Sequence, residues 1–121
     1  MDEFAWSHRP LLVFATSVEE PALLEQRELL AAHREGLNER DMVVIELVGD
    51  DLTVDGQPRT ADTHALRKRY GVPTSRAFAV LLVGKDTGVK LRSDRPVTAE
   101  GVFGLIDSMP MRRQEMREAS E

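Results

Sequence analysis

The sequence predicts an α/β fold around a four-stranded mixed sheet, with elements in the order β-α-β-α-β-β-α. Three observations predict it. Leu11–Ala15 and Ala77–Val83 are short continuous apolar runs, the pattern of strands covered on both faces. Between the first run and the β-branched stretch Met42–Leu47 lies a segment of helical periodicity, which makes a strand-helix-strand unit with parallel strands and a right-handed crossover. After the last apolar run, Gly84–Gly88 supplies a short loop with a late glycine, and Val89–Arg92 alternates apolar and basic residues as one strand of an antiparallel hairpin does.

Taken in order, the first strand follows Arg9-Pro10, with Phe4 and Trp6 just ahead of it expected to pack on the sheet. Two start signals compete for the first helix. Ser17-Val18-Glu19-Glu20 has the form of a capping box, and Pro21 suits the first helical position. Leu23, Leu24, Leu30 and Ala31 recur at helical spacing, and Gly36 offers a left-handed stop. Residues 49–59, with Gly49, Asp50-Asp51, Asp55-Gly56 and Pro58, read as a polar excursion containing a tight Asp-Gly turn. A second helix runs over about 61–70, capped by Thr60 and ended by Gly71. Thr98 caps a last helix through Val102, Phe103, Ile106 and Met109, which Pro110 breaks, leaving residues 109–121 as a short helical tail. This element order is that of the thioredoxin-like core.

A chain of 121 residues, 41% hydrophobic and 31% charged, suits one domain with its own core over residues 1–121. It contains no cysteine, which excludes thiol redox chemistry, cysteine nucleophiles, iron–sulfur clusters and Cys-ligated zinc. The net charge of -5 argues against nonspecific nucleic-acid binding, although it is split unevenly. Residues 1–60 carry 13 acids and 5 bases, residues 61–121 carry 8 acids and 11 bases, so a local positive face is compatible with the sum. No apolar run reaches the ~18 residues of a membrane span. The start Met1-Asp2-Glu3 lacks the basic and apolar regions of a signal peptide, so the chain reads as soluble, without membrane insertion.

Three stretches carry a family resemblance: Trp6–Ala15 (WSHRPLLVFA), Gly84–Arg92 (GKDTGVKLR) and Met109–Arg117 (MPMRRQEMR). Together they resemble P-DUDES, an uncharacterised bacterial thioredoxin-like domain of unknown function that also occurs in animal matrix and sushi-repeat proteins. The resemblance spans nearly the whole chain. It implies a thioredoxin-like or peroxiredoxin-like fold and export to the periplasm or beyond in bacteria, and it implies no established activity.

Thioredoxin-like enzymes place a reactive cysteine at the start of the first helix, where free N–H groups and the helix dipole stabilise a thiolate. Here that place is held by Thr16, Ser17, Val18, Glu19 and Glu20. Thr16, Ser17, Glu19 and Glu20 are therefore the candidate pocket residues. Acidic groups there would oppose a thiolate. Gly71-Val72-Pro73-Thr74 only superficially matches the proline loop that faces such an active site, and no cis peptide is assigned to it.

Ser17 as a nucleophile would need an oriented base, yet His8, His33 and His64 stand in no motif spacing to it and no Gly-x-Ser-x-Gly is present. A helix cap is the plainer role for Ser17. The histidines lack metal-ligand spacing, and Asp50, Asp51 and Asp55 lack the EF-hand order, so neither a metal nor another cofactor is assigned. The Gly84–Gly88 loop precedes a strand, whereas a phosphate loop must open a helix. The remaining feature is the set Lys85, Lys90, Arg92, Arg112 and Arg113. If the tail folds back on the fourth strand, these form a forked site for a carboxylate or phosphate. The competing role is edge protection, with the tail arginines paired to Glu115 or Asp107.

The reading is a cysteine-free binding or interaction module, not a thiol oxidoreductase or peroxidase, with no catalytic residue assigned. Its partner is a protein or a small anionic ligand. The alternatives are anion binding at the Lys/Arg surface and an enzyme of unrecognised type using Ser17 or Glu20.

Overall fold

Strand β1 (Arg9–Ala15) is buried along its whole length, as its uninterrupted apolar run requires, and the rest of the chain is arranged around it in a computed structural model that describes residues 2–119. After a 3-10 turn at Asp2–Phe4 and β1 come α1 (Pro21–Ala31), α2 (Arg34–Glu39), β2 (Met42–Val48), β3 (Asp51–Val54) and β4 (Gln57–Arg59). Then follow α3 (Thr63–Tyr70), β5 (Phe78–Val83), β6 (Val89–Ser93), α4 (Ala99–Asp107) and α5 (Pro110–Ala119). The sheet has six strands in the order β4-β3-β2-β1-β5-β6. β1 and β2 run parallel, from Arg9↔Met42 to Ala15↔Val48, and the other neighbours are antiparallel. Pro10 sits in the central strand without harm because pairing with β5 begins one residue later, at Leu11↔Leu82.

Alternation along β1 divides the core in two. Leu11, Val13 and Ala15 face a cluster that includes Leu23 and Leu30 of α1, Leu37 of α2 and Val102 and Ile106 of α4. Leu12 and Phe14 face a second cluster with Phe4, Leu52, Tyr70 and Val72, against which Leu66 of α3 packs. Helices therefore cover both faces.

The expected four strands become six because residues 49–59 are a β-hairpin rather than an excursion. Asp55 and Gly56 take φ of 48° and 84°, the left-handed pair that a two-residue hairpin turn needs. Asp55 also closes the end of the β2 ladder: its Oδ1 accepts from the Val44 N–H at 2.8 Å, and its own N–H donates to the Val44 carbonyl. Only Leu52 and Val54 of this hairpin reach the core, and β4 is wholly exposed, so the apolar pattern was too short to announce two strands.

The first helical stretch also divides. α1 ends at Ala31, and Gly36, expected as a stop, lies inside α2. A Cβ at Gly36 would sit 2.6 Å from the Phe103 ring, so this glycine admits a close approach of α4. At its start, α1 uses Pro21 at the first turn, with Glu20 in the cap position and no side-chain cap bond. Ser17 instead accepts the Glu19 N–H at 3.0 Å, so the expected capping box does not form. α3 starts at Thr63, not near 61, because Asp62 rather than Thr60 caps it, accepting the Ala65 N–H at 3.0 Å. Gly71 ends α3 in the left-handed conformation (φ 69°). Thr98 caps α4 by accepting from the Gly101 N–H at 3.1 Å.

Trp6 does not pack on the sheet: it is 67% exposed with φ 67°, whereas Phe4 is buried. In α1 the inward face is Leu23, Gln26 and Leu30, while Leu24 and Ala31 are exposed. Gln26 is buried because its amide copies a strand partner. It donates to the Val97 carbonyl at 2.9 Å and accepts from the Val97 N–H at 2.8 Å, fastening the segment before α4 to α1.

Candidate functional site

The carboxyl ends of β1 and β2 lie beside the β1–α1 junction, the usual ligand side of a sheet whose central strands are parallel. Thr16, Ser17 and Glu19 are exposed there, and Glu20 is half-buried. The Thr16 N–H donates to the Ala77 carbonyl at 3.2 Å, which ties the junction to the segment leading into β5. None of the histidine contacts involves Ser17 among the described residues: His8 lies 2.9 Å from the Ser7 hydroxyl, His33 3.6 Å from Glu100 and His64 3.3 Å from Asp50. No base is therefore arranged to activate this hydroxyl. Among the described residues no group of three or more His, Cys, Asp or Glu could hold a metal ion. The described peptide bonds, including that before Pro73, are all trans.

The same end of the sheet contains a buried cation that no sequence motif marks. Arg67 of α3 is 5% exposed. Thr63, Leu66, Arg67 and Tyr70 share the inward face of α3, at spacings of three and four residues. Its Nη2 donates to the Ala15 carbonyl at 3.0 Å and reaches the Leu47 carbonyl at 3.5 Å, at the carboxyl ends of β1 and β2. The guanidinium lies 5.4 Å from the Phe14 ring centroid. Nη1 is buried with no hydrogen-bond partner. Burial lowers the pKa of this guanidinium from its ordinary value, partly offset by the charge of Asp50. A concavity of about 380 Å³ is lined by Arg67 together with His64, Lys68 and Gly71–Thr74.

The five predicted cations are distributed differently. Lys85 is buried and donates to Asp41 at 2.8 Å and to Glu115 at 2.7 Å. Arg112, equally buried, bonds Asp107 at 3.0 Å and Glu39 at 2.9 Å. Lys90 pairs with Asp86 at 2.8 Å, and Arg92 donates to the Tyr70 carbonyl at 2.5 Å. Arg113 is exposed. The tail does fold back as α5, but it brings a carboxylate with it. Glu115 makes a two-pronged contact with Arg9, at 3.2 and 3.0 Å, and Arg9 also donates to the Arg40 carbonyl. Arg40 in turn forks onto Asp107 at 3.1 and 2.9 Å.

These contacts set the charges of the network. The Arg40 hydrogen bond, then that of Arg112, holds the Asp107 carboxyl below the usual carboxylate value despite partial burial. Burial works to raise the Glu115 carboxyl, but the bonds from Arg9 and Lys85 outweigh it and keep it low. For Arg112 burial again opposes the charged form, and the bonds to Asp107 and Glu39 overcome it, so its pKa is raised. The pairing through Asp107 is legible from α4 and α5 as neighbours; Arg9 and Glu115, 106 positions apart, are not.

Fold and site together define a cysteine-free domain of thioredoxin-like architecture. Its backbone is similar to that of a reduced 2-Cys peroxiredoxin from Plasmodium vivax, with a TM-score of 0.67 at 12% identity over 94% of this chain and 84% of that one. The chain belongs to the family described as "Domain of unknown function (DUF4174)", whose model matches residues 1–115. It is 31% identical over 96% of its length to Coiled-coil domain-containing protein 80 of Danio rerio, and 31% identical, again over 96%, to Sushi repeat-containing protein SRPX of Rattus norvegicus. It spans only 15% and 26% of those two proteins. No helix among the described residues is long and apolar enough to cross a membrane.

Proposed function

We propose that the chain is a non-redox binding or interaction module, one thioredoxin-like domain whose carboxyl-end crevice docks a partner and exchanges no electrons. One observation carries this reading. The helix start that would stabilise a thiolate holds Thr16–Glu20, in a chain with no cysteine anywhere. The purified protein is expected to give no turnover above buffer in insulin-disulfide reduction or peroxide reduction; turnover in either overturns the reading. The P-DUDES assignment and bacterial export belong to the same proposal, supported by the three motif stretches and by the sushi-repeat relative. A leader encoded upstream of Met1 at the genomic start would support export.

A second reading, anion binding at the Lys85, Lys90, Arg92, Arg112 and Arg113 surface, is favoured by one observation. Arg92 lines a concavity of about 320 Å³ with Gly71–Pro73, Arg76, Ser93 and Asp94. Against it, Lys85, Lys90 and Arg112 are already paired with carboxylates. Saturable thermal stabilisation by an anionic metabolite, abolished in Arg92→Ala, is its test.

A further inference from the structure

We propose that the concavity between α3 and Gly71–Thr74, beside the carboxyl ends of β1 and β2, is a site for a small oxyanion, a carboxylate or phosphate group, held by the Arg67 guanidinium. The proposal rests on the binding-module reading and names a chemistry for it.

Arg67 stands apart from the other buried cations in having unmatched donors. Among the described residues four cations are buried, namely Arg9, Arg67, Lys85 and Arg112. Arg9, Lys85 and Arg112 each meet one or more carboxylates at 3.2 Å or less. Arg67 meets only main-chain carbonyls through Nη2, while Nη1 has no acceptor. A buried guanidinium without a counter-charge is costly, and its planar fork is suited to an oxygen pair of a carboxylate or phosphate. The surroundings reinforce the sign. His64 and Lys68, on the same helix, line the concavity with Arg67, and no carboxylate residue does. Asp50 acts on Arg67 through its charge and lies 3.3 Å from the His64 ring nitrogen. Nη1 is closed off from solvent, so binding includes a small outward shift of the Gly71–Thr74 lip, of which Gly71, Pro73 and Thr74 are exposed.

The test is titration of the whole chain with inorganic phosphate and, separately, with acetate at constant ionic strength, followed by amide NMR and calorimetry. Saturable shifts centred on 64–74 are expected with at least one anion, and the tighter of the two identifies whether phosphate or carboxylate is preferred. Arg67→Lys should weaken binding tenfold or more, since a point charge cannot replace the fork. Lys68→Ala should weaken it a few-fold, Asp50→Asn should tighten it, and Lys90→Ala should leave it unchanged. Absence of saturation with both anions overturns the proposal, as does unaltered affinity in Arg67→Lys or an equal loss in Lys90→Ala. If Arg67→Lys does not fold by circular dichroism, the exposed pair decides: opposite shifts in Lys68→Ala and Asp50→Asn support the site, and no movement in either overturns it. Such a failure leaves the binding-module reading standing, because that reading falls only to redox turnover.

Discussion

Each end of β1 meets a buried guanidinium, and the two are handled in opposite ways. At the amino end Arg9, 1% exposed, is gripped by both oxygens of Glu115 and by the Arg40 carbonyl, and Lys85 shares the same carboxylate. At the carboxyl end Arg67 has carbonyls alone and one nitrogen without a partner. A satisfied ionic cluster is a clasp between distant parts of the chain, here the first strand and the last helix. An unsatisfied one is a standing demand for an acceptor. The same residue type therefore marks structure at one end and receptivity at the other.

The largest expected effect tests the clasp. Glu115→Ala leaves Arg9 and Lys85 short of a carboxylate and should cost about 3–5 kcal/mol in urea unfolding at neutral pH; a loss below ~1 kcal/mol would reduce the cluster to decoration. Next comes a direct contrast between the ends. Arg9→Met strands part of Glu115 and should cost about 3 kcal/mol, whereas Arg67→Met removes an unsatisfied donor and should stay within about 1 kcal/mol of the parent. Similar losses in both would erase the distinction.

Acid should act on the amino end alone. Asp107 and Glu115 are held below their ordinary values of 3.8 and 4.5. Their contribution is complete above those values and is lost as pH falls through the lower folded ones. Urea midpoints should therefore drop as pH falls below 4.5, and Glu115→Gln should flatten that fall, while Arg67 stays charged throughout. The smallest effect is at the lip of the crevice. Gly71→Ala has space for the methyl group, whose nearest neighbour is an Arg92 nitrogen at 3.9 Å. The positive φ should nonetheless cost about 1 kcal/mol in the unfolding free energy.

What was legible follows from the range of the forces involved. β1 and β5 were readable because burial on both faces writes itself as a continuous apolar run, and Thr98 and Gly71 because caps act within a few residues. The β3–β4 hairpin was not, since only Leu52 and Val54 face the core and the rest of the stretch is polar and largely exposed, too short an apolar pattern to mark two strands. Trp6, expected on the sheet, is exposed in a left-handed turn that no neighbouring residue signals. For the site, the β1–α1 junction was legible from element order, but Arg67 was not. A basic residue on a polar helix reads as solvated, and only the inward spacing of Thr63, Leu66 and Tyr70 hinted otherwise.

The outer rim of β4 has one more consequence. It is three residues long, wholly exposed, with Pro58 in the middle opposite Thr53. Proline gives an incoming chain no N–H to grasp, and the opposite rim, β6, bulges at Lys90, where its register against Leu82 and Val83 of β5 shifts, and carries exposed Lys90 and Arg92. Neither margin offers an incoming strand an unbroken row of N–H and C=O groups, so edge-to-edge joining of copies is disfavoured.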